Sequence, residues 1–243
     1  MIVEELLDSA RRDLRSRRAV DVRIGLGYTG VMLDDGSLGL AYTFRDEVTE
    51  CCQFMDEAGN LEGNAYNLAE LILSPFSIHS SLGLATINAV LNRDVKGVEG
   101  DLLDHLEMRK GDKVGMVGDF RPLFQDLEGV EIKVFERRRS DDSVYPDWAA
   151  EQMLPKVDVA IISGTAIINK TMDHLLDLCK SARTVAVMGP STPLSPLLGE
   201  KGADLLGGIV VDRPKEAMRI ISQGGGTRSL ADTIRKITVD LNQ

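Results

Sequence analysis

From Lys113 onward, short apolar runs recur, and almost every one ends on glycine or a small polar residue. Val114–Val117 leads into Gly118, and Ile132–Phe135 leads into Glu136. Val157–Ile162 ends in Ser163-Gly164-Thr165, and Thr184–Met188 ends in Gly189-Pro190-Ser191-Thr192. Gly208–Val211 forms a fifth run, and between the third and fourth lies a helical stretch, Asn169–Lys180, whose Met172, Leu175, Leu176 and Cys179 share one face. Apolar runs too short for helices, alternating with helical segments, predict βαβ units and a parallel sheet buried on both sides.

The first hundred residues follow a different rhythm. Val3, Leu6, Leu7, Ala10 and Leu14 recur at helical spacing, while Arg11, Arg12, Asp13 and Arg15 mostly face away. Three strand-like runs follow, over 21–26, 30–33 and 38–43, with Asp35-Gly36 as a hairpin turn between the last two. After the polar stretch 56–64, helices are expected over 66–73 and 78–91, separated by Pro75, which cannot continue a helix. Helix, β-meander and helices make an α+β unit. The chain thus divides into a smaller α+β unit over 1–100 and a Rossmann-like α/β unit over 101–243, with the polar Arg109–Asp112 stretch near the seam.

The formal charge of −10 repels polyanions, which argues against nucleic acid and anionic membrane as partners. The one basic run, Arg137-Arg138-Arg139, is offset by Asp141-Asp142. No apolar run approaches the about eighteen residues a membrane helix needs, and the acid-bearing Met1–Leu6 start reads as no signal peptide. Three cysteines are an odd number and too few for a disulfide framework, so reduced thiols in a cytoplasmic protein are expected.

Gly25-Leu26-Gly27-Tyr28-Thr29-Gly30 matches the dinucleotide glycine pattern, but Val31-Met32-Leu33 runs straight into Asp34-Asp35-Gly36. There is no room for the helix whose N-terminus would hold a pyrophosphate. The pattern reads instead as a bend where backbones pass closely.

The strand-end loops are a better candidate, because open parallel sheets bind ligands outside the carboxyl ends of their strands. Gly118-Asp119-Phe120 follows the first strand, Ser163-Gly164-Thr165 the third, and Gly189-Pro190-Ser191-Thr192 the fourth. Glycine admits close backbone approach, and hydroxyls and helix-start N–H groups suit an anion or a carbonyl. Glu136 ends the second strand about eighteen residues after Gly118, near where Rossmann-like folds carry a ribose-binding acid. The competing reading makes Ser163, Thr165, Ser191 and Thr192 ordinary caps and turn residues. Asp119 is the charged candidate, as a base, a cation ligand or a loop brace. Gly224-Gly225-Gly226-Thr227 is either a further wall or a turn before a final helix.

Metal chemistry has little sequence support. His79, His105 and His174 are scattered, and Cys51-Cys52, adjacent on an extended segment, would point to opposite faces. Neither a nucleophile elbow nor a phosphate-binding Walker loop is present.

The segments VGMVGDFRPL (114–123), DVAIISGTAIIN (158–169) and GPSTPL (189–194), with GLGYTGVML, GLAYTFR and GLATINA in the first half, resemble a prokaryotic family described as heavy-metal chelation proteins. The resemblance runs nearly end to end. It implies an enolase N-terminal-like domain joined to a Rossmann-like one, with a ligand cleft between them. It adds Thr43, Phe44 and Asn88 from the first half, and Asn169 from the second, to the candidate lining. Asp119 stands where the family often carries an aromatic, whereas Phe120 and Pro122 keep its pattern.

Two functions compete. One is a cytoplasmic binder of a small ligand, a heavy metal or a metal-chelate, for which oxygen- and backbone-rich loops suit a chelate better than a bare soft ion. The other is an enzyme using a nucleotide-like cofactor, S-adenosylmethionine or a dinucleotide, with Glu136 on the ribose. A third reading, a homo-oligomer subunit with a purely structural cleft, would show a large exposed apolar patch.

Overall fold

The computed structural model describes residues 1–47, 55, 57–121, 129–138 and 141–242. The Cys51-Cys52 pair, Pro122, Leu123 and Arg139 lie outside them.

Helix α1 (Ile2–Arg15) buries Ile2, Val3, Leu6, Leu7, Ala10 and Leu14, the face that helical spacing marks out. Glu4 and Glu5 in its first turn and Arg12 and Arg15 in its last complement the helix dipole. Strands β1 (Arg18–Ile24), β2 (Tyr28–Leu33) and β3 (Leu38–Tyr42) form an antiparallel meander, and β4 (Gly63–Asn64) closes the sheet beyond β1. Helix α2 (Ala65–Ala69) starts where Asn64 Oδ1 accepts from the Tyr66 and Asn67 N–H groups. Helix α3 (Ser77–Leu91) follows Pro75 and is buried on almost every side, from Ser77 to Val90. A helix apolar all round belongs inside a protein, and α3 packs on β2 and β3 of the meander and on α1 and α2.

That larger sheet has eight strands: β5 (Val98–Glu99), β6 (Lys113–Val117), β7 (Glu131–Glu136), β8 (Val144–Pro146), β9 (Val159–Ser163), β10 (Thr184–Met188), β11 (Leu205–Val211) and β12 (Ile234–Asp240). They lie in the order β5-β12-β11-β10-β9-β6-β7-β8. From β8 through β11 all pairings are parallel, whereas β12 and β5 are antiparallel. The chain therefore lays down β6, β7 and β8 toward one edge, then returns to β9, β10 and β11 on the other side of β6. The order reverses between β6 and β9, and that junction is where an open α/β sheet leaves a crevice. β9 is buried along its whole length, as expected for a central parallel strand. Short helices α4 (Ala150–Met153), α5 (Met172–Leu178) and α6 (Leu197–Glu200) connect the strands; α7 (Pro214–Ser222) and α8 (Thr227–Leu230) precede β12.

The sequence pattern and the structure part at several points. The helix expected over 169–180 begins only at Met172. Asn169 Oδ1 accepts from the Thr171 N–H and hydroxyl, and Lys170 has a left-handed φ of 65°, so neither residue can start a helix. The final helix expected after Gly224–Thr227 is a single turn, and the chain then extends into β12 along the whole of β11. Strands β8 and β12 and helix α7 carry no clear apolar run of their own. The Gly25–Gly30 bend does join two strands. A Cβ on Gly25 would fall 2.3 Å from the Ile221 carbonyl oxygen of α7, and one on Gly27 3.0 Å from Gly225 O, so the glycines let the bend pass α7 and the Gly224–Gly226 loop. Among the described residues no helix is long and apolar enough to cross a membrane.

Candidate functional site

The crevice at the β6/β9 junction is built around one aromatic ring. Gly118 ends β6 with φ 99°, a turn that an L side chain would strain, and its N–H donates to Phe135 O at 3.1 Å. That turn folds Phe120 back over the strand ends. A Cβ on Gly118 would lie 3.0 Å from Ser163 Cβ and 3.2 Å from Phe120 Cε2. One on Gly189 would meet the same ring at 3.9 Å. Phe120 therefore bridges the carboxyl ends of β6, β9 and β10. Beside it, Ser163 Oγ accepts from the Thr165 hydroxyl at 2.8 Å and the Thr165 N–H at 3.3 Å.

Charged groups form the rim. Glu136, at the end of β7, accepts the Asp119 N–H at 3.0 Å. Burial pushes its carboxyl above the ordinary glutamate value, and that N–H only partly opposes the shift. The Asp119 carboxylate is occupied by Arg121, at 2.9 Å from Nε and 2.6 Å from Nη2. Arg121 also reaches Asp141 at 2.9 Å and holds that carboxyl well below the usual range. Asp119 is thus a loop brace more than a free base. Opposite, Arg137 pairs with Glu47, and Arg138 pairs with Asp46 at 3.0 Å. These pairs hold the segment after β3 beside the end of β7. Phe44, half-buried and edge-on to Tyr42 at 5.2 Å, belongs to that segment.

The remaining sequence candidates occupy a buried seam between the two sheets. Ser191 Oγ accepts from the Tyr42 N–H at 2.8 Å. Asn88 Nδ2 donates to Leu40 O at 2.9 Å and to Ser191 O at 3.1 Å. One turn along α3, Asn92 donates to Thr192 O at 2.9 Å and accepts from the Leu194 N–H at 2.7 Å. Thr43 and Thr29 share a hydroxyl–hydroxyl bond of 3.0 Å. Asn88, Ser191, Thr192 and Thr43 are all buried, and the bonds of the first three join α3 and β3 to the loop after β10. Thr192 presses on Gly164, whose Cβ would lie 2.5 Å from Thr192 Oγ1. Asn169 is spent on its own turn, and Pro190 is half-buried beside Gly189. Asn92 escaped the sequence reading, although its spacing of four from Asn88 puts both amides on one helical face.

Among the described residues no group of three or more His, Cys, Asp or Glu side chains could hold an ion. His174 pairs with Glu151 at 2.5 Å, and His79 Nδ1 lies 3.3 Å from Ser74 Oγ. Cys179 is fully buried, which pushes its thiol up to about 12. Two clefts open away from the strand-end loops. One, of about 640 Å³, is lined by Lys96, His105, Glu107, Leu205 and Asp240 at the amino end of the parallel strands. The other, of about 440 Å³, lies between Arg93, Asp94, Ser195 and Leu241. Neither is lined by Phe120, Glu136, Ser163, Thr165 or Gly189.

Comparison with known proteins agrees with this layout. Two family models, both described as "Putative heavy-metal chelation", match residues 4–91 and 101–240. An uncharacterized protein of Methanocaldococcus jannaschii is 29% identical, over 82% of each chain. Two crystal structures of proteins of unknown function are similar throughout. One, from Desulfitobacterium hafniense, is 26% identical with a TM-score of 0.83, covering 98% of each chain. The other, from Pyrococcus horikoshii, is 25% identical with a TM-score of 0.87, covering 99% of this chain and 100% of that one. Both belong to the family of the 101–240 model.

Proposed function

This chain belongs to the family described as heavy-metal chelation proteins, and from that premise we propose that it binds a small organic ligand, with a metal–chelate as the favoured one, at the strand-end loops. The observation that carries this reading is Phe120. Its ring spans three strand ends, with Ser163 beside it and half-buried Glu136 on the rim. An aromatic face beside a few fixed polar groups suits a planar organic ligand. A bare soft ion does not fit the described residues, which bring no thiolate or imidazole cluster together. In a chelate the organic ligand satisfies the metal, and the protein needs only to recognise its outside.

The finer fold labels follow from the same features. The parallel strands, taken as β8-β7-β6-β9-β10-β11, run in the order 3-2-1-4-5-6, which supports a Rossmann-like domain over 101–243. The meander and helices α1–α3 support an enolase N-terminal-like domain over 1–100, with the ligand cleft between the two. The reduced-thiol reading supports a cytoplasmic setting.

The test is titration calorimetry on untagged protein with Ni²⁺ and Cu²⁺ alone and as their histidine or citrate complexes. A complex should bind at one per chain, and Phe120→Ala should weaken it about tenfold or more. Stoichiometric binding of the bare ions, unchanged by Phe120→Ala, would overturn the reading. Glu136 supports a second one, because an acid at the end of the second parallel strand is where a ribose would be held. S-adenosylmethionine or a dinucleotide would then raise the melting temperature, and Glu136→Gln would abolish that shift.

A further inference from the structure

Lys170 is an amine held under conditions that no other lysine here shares. It is the one non-glycine residue at positive φ among those described. Its backbone therefore sits where glycine is the unstrained choice, a type of strain that gathers at working sites. The turn aims the side chain across the seam, where Nζ donates to Ser80 Oγ of α3 and, at 2.9 Å, to Ile168 O. Both acceptors are neutral. Lys133, Lys180, Lys201 and Lys236 each pair with a carboxylate, whereas Lys170 is partly buried without one.

The neighbouring charges give no relief. His79, next to Ser80, bonds to Ser74, and Asp173 is turned to the Ile2 N–H. Ser80 stands in the first turn of α3, whose cap residue Phe76 supplies no side-chain acceptor. The positive end of the helix dipole therefore adds to the disfavour of an ammonium. Burial pulls the ammonium down to about 8.

We propose that Lys170 is a site of reversible imine formation with small aldehydes or ketones. The Nζ lone pair attacks the carbonyl carbon, and the oxygen takes a proton to give a carbinolamine. That oxygen then leaves as water with both amine hydrogens, and a C=N bond remains. No oxidant or reductant is consumed. Ser80 Oγ, which accepts from Nζ and donates its own hydrogen to Ile72 O at 3.3 Å, holds the amine in place for the attack. The inference is independent of the metal–chelate reading, because it uses neither Phe120 nor Glu136.

The experiment uses the intact chain, glyoxylate as the carbonyl probe and cyanoborohydride to trap the imine, with peptide mapping over a pH series. At pH 7 the Lys170 adduct should form about tenfold faster than adducts at exposed Lys113 and Lys156, once the weaker nucleophilicity of a less basic amine is counted. Its rate should level off near pH 8, while the exposed lysines keep accelerating. Lys170→Gly fits the left-handed backbone, so the fold should survive while the fast adduct disappears. Adducts spread evenly over the exposed lysines, or a fast adduct that persists in folded Lys170→Gly, would overturn the proposal.

Discussion

Removing the Asn88 amide tests whether the seam is structure or site. The side chain is 1% exposed and makes two bonds through Nδ2, to Leu40 O and Ser191 O. Asn88→Ala strips both carbonyls of that donor in a buried setting. Each buried polar group left without a partner costs about 1–3 kcal/mol, so the loss for two should total about 2–6 kcal/mol. For a chain of this size that is a fall in Tm of roughly 4–24 °C. Asn88→Asp keeps the shape, deletes the donors and sets a carboxylate against two carbonyl oxygens, so it should be at least as damaging. Urea unfolding followed by fluorescence and by circular dichroism measures both variants. If Asn88 instead served a ligand, the alanine variant would unfold near the wild-type midpoint and lose only affinity. A loss below about 1 kcal/mol would refute the structural assignment.

Three further outcomes are expected. Gly164→Ala drives a Cβ to 2.5 Å from Thr192 Oγ1 and 2.8 Å from Thr192 N, and should destabilise by about 1–3 kcal/mol in the same unfolding assay; an unchanged midpoint would mean the loop yields freely. Burial raises the Glu136 carboxyl, so the folded state holds its proton more tightly than the unfolded chain does, and that contribution is complete below the ordinary value of 4.5 and lost as pH rises above it. Glu136→Gln should therefore melt higher than wild type at neutral pH but not at pH 4, and an equal shift at both would contradict the burial argument. Cys179, with its thiol pushed up to about 12, should resist alkylation at pH 8 until the protein unfolds, as mapped by mass spectrometry.

The parallel sheet was legible because each apolar run carries its own stop. β6, β7, β9 and β10 end within a residue of where Gly118, Glu136, Ser163 and Gly189 interrupt the pattern. β12 was not legible, because Arg235 and Lys236 break its apolar content and its pairing with distant β11 supplies the order instead. The helix after β9 read too long because period alone cannot see the Asn169 turn or the left-handed Lys170. Strand-end residue types also could not separate lining from seam. Ser163 and Ser191 look alike in sequence, yet one sits beside the Phe120 ring and the other accepts the Tyr42 N–H. The difference lies in which neighbour the first half of the chain brings up, and that is long-range information.

The seam in turn explains how the crevice keeps its shape. Loops that bind ligands are usually the mobile parts of a fold, but here the loop after β10 is bonded to α3 through Asn88 and Asn92 and to β3 through Ser191. Gly164 packs against that same loop, so the turn after β9 inherits the anchoring. Two of the three strand ends beneath Phe120 are thus fixed by residues that need never meet a ligand. The third, β6, ends in the Asp119–Arg121–Asp141 brace. Its charges are part-exposed and open to screening by salt, so adaptation to a ligand falls to the Gly118–Arg121 turn while the β9 and β10 sides stay in place. Raising salt should loosen that turn alone, which hydrogen exchange would register as faster exchange at Asp119 and Phe120 with protection at Tyr42 and Leu194 unchanged.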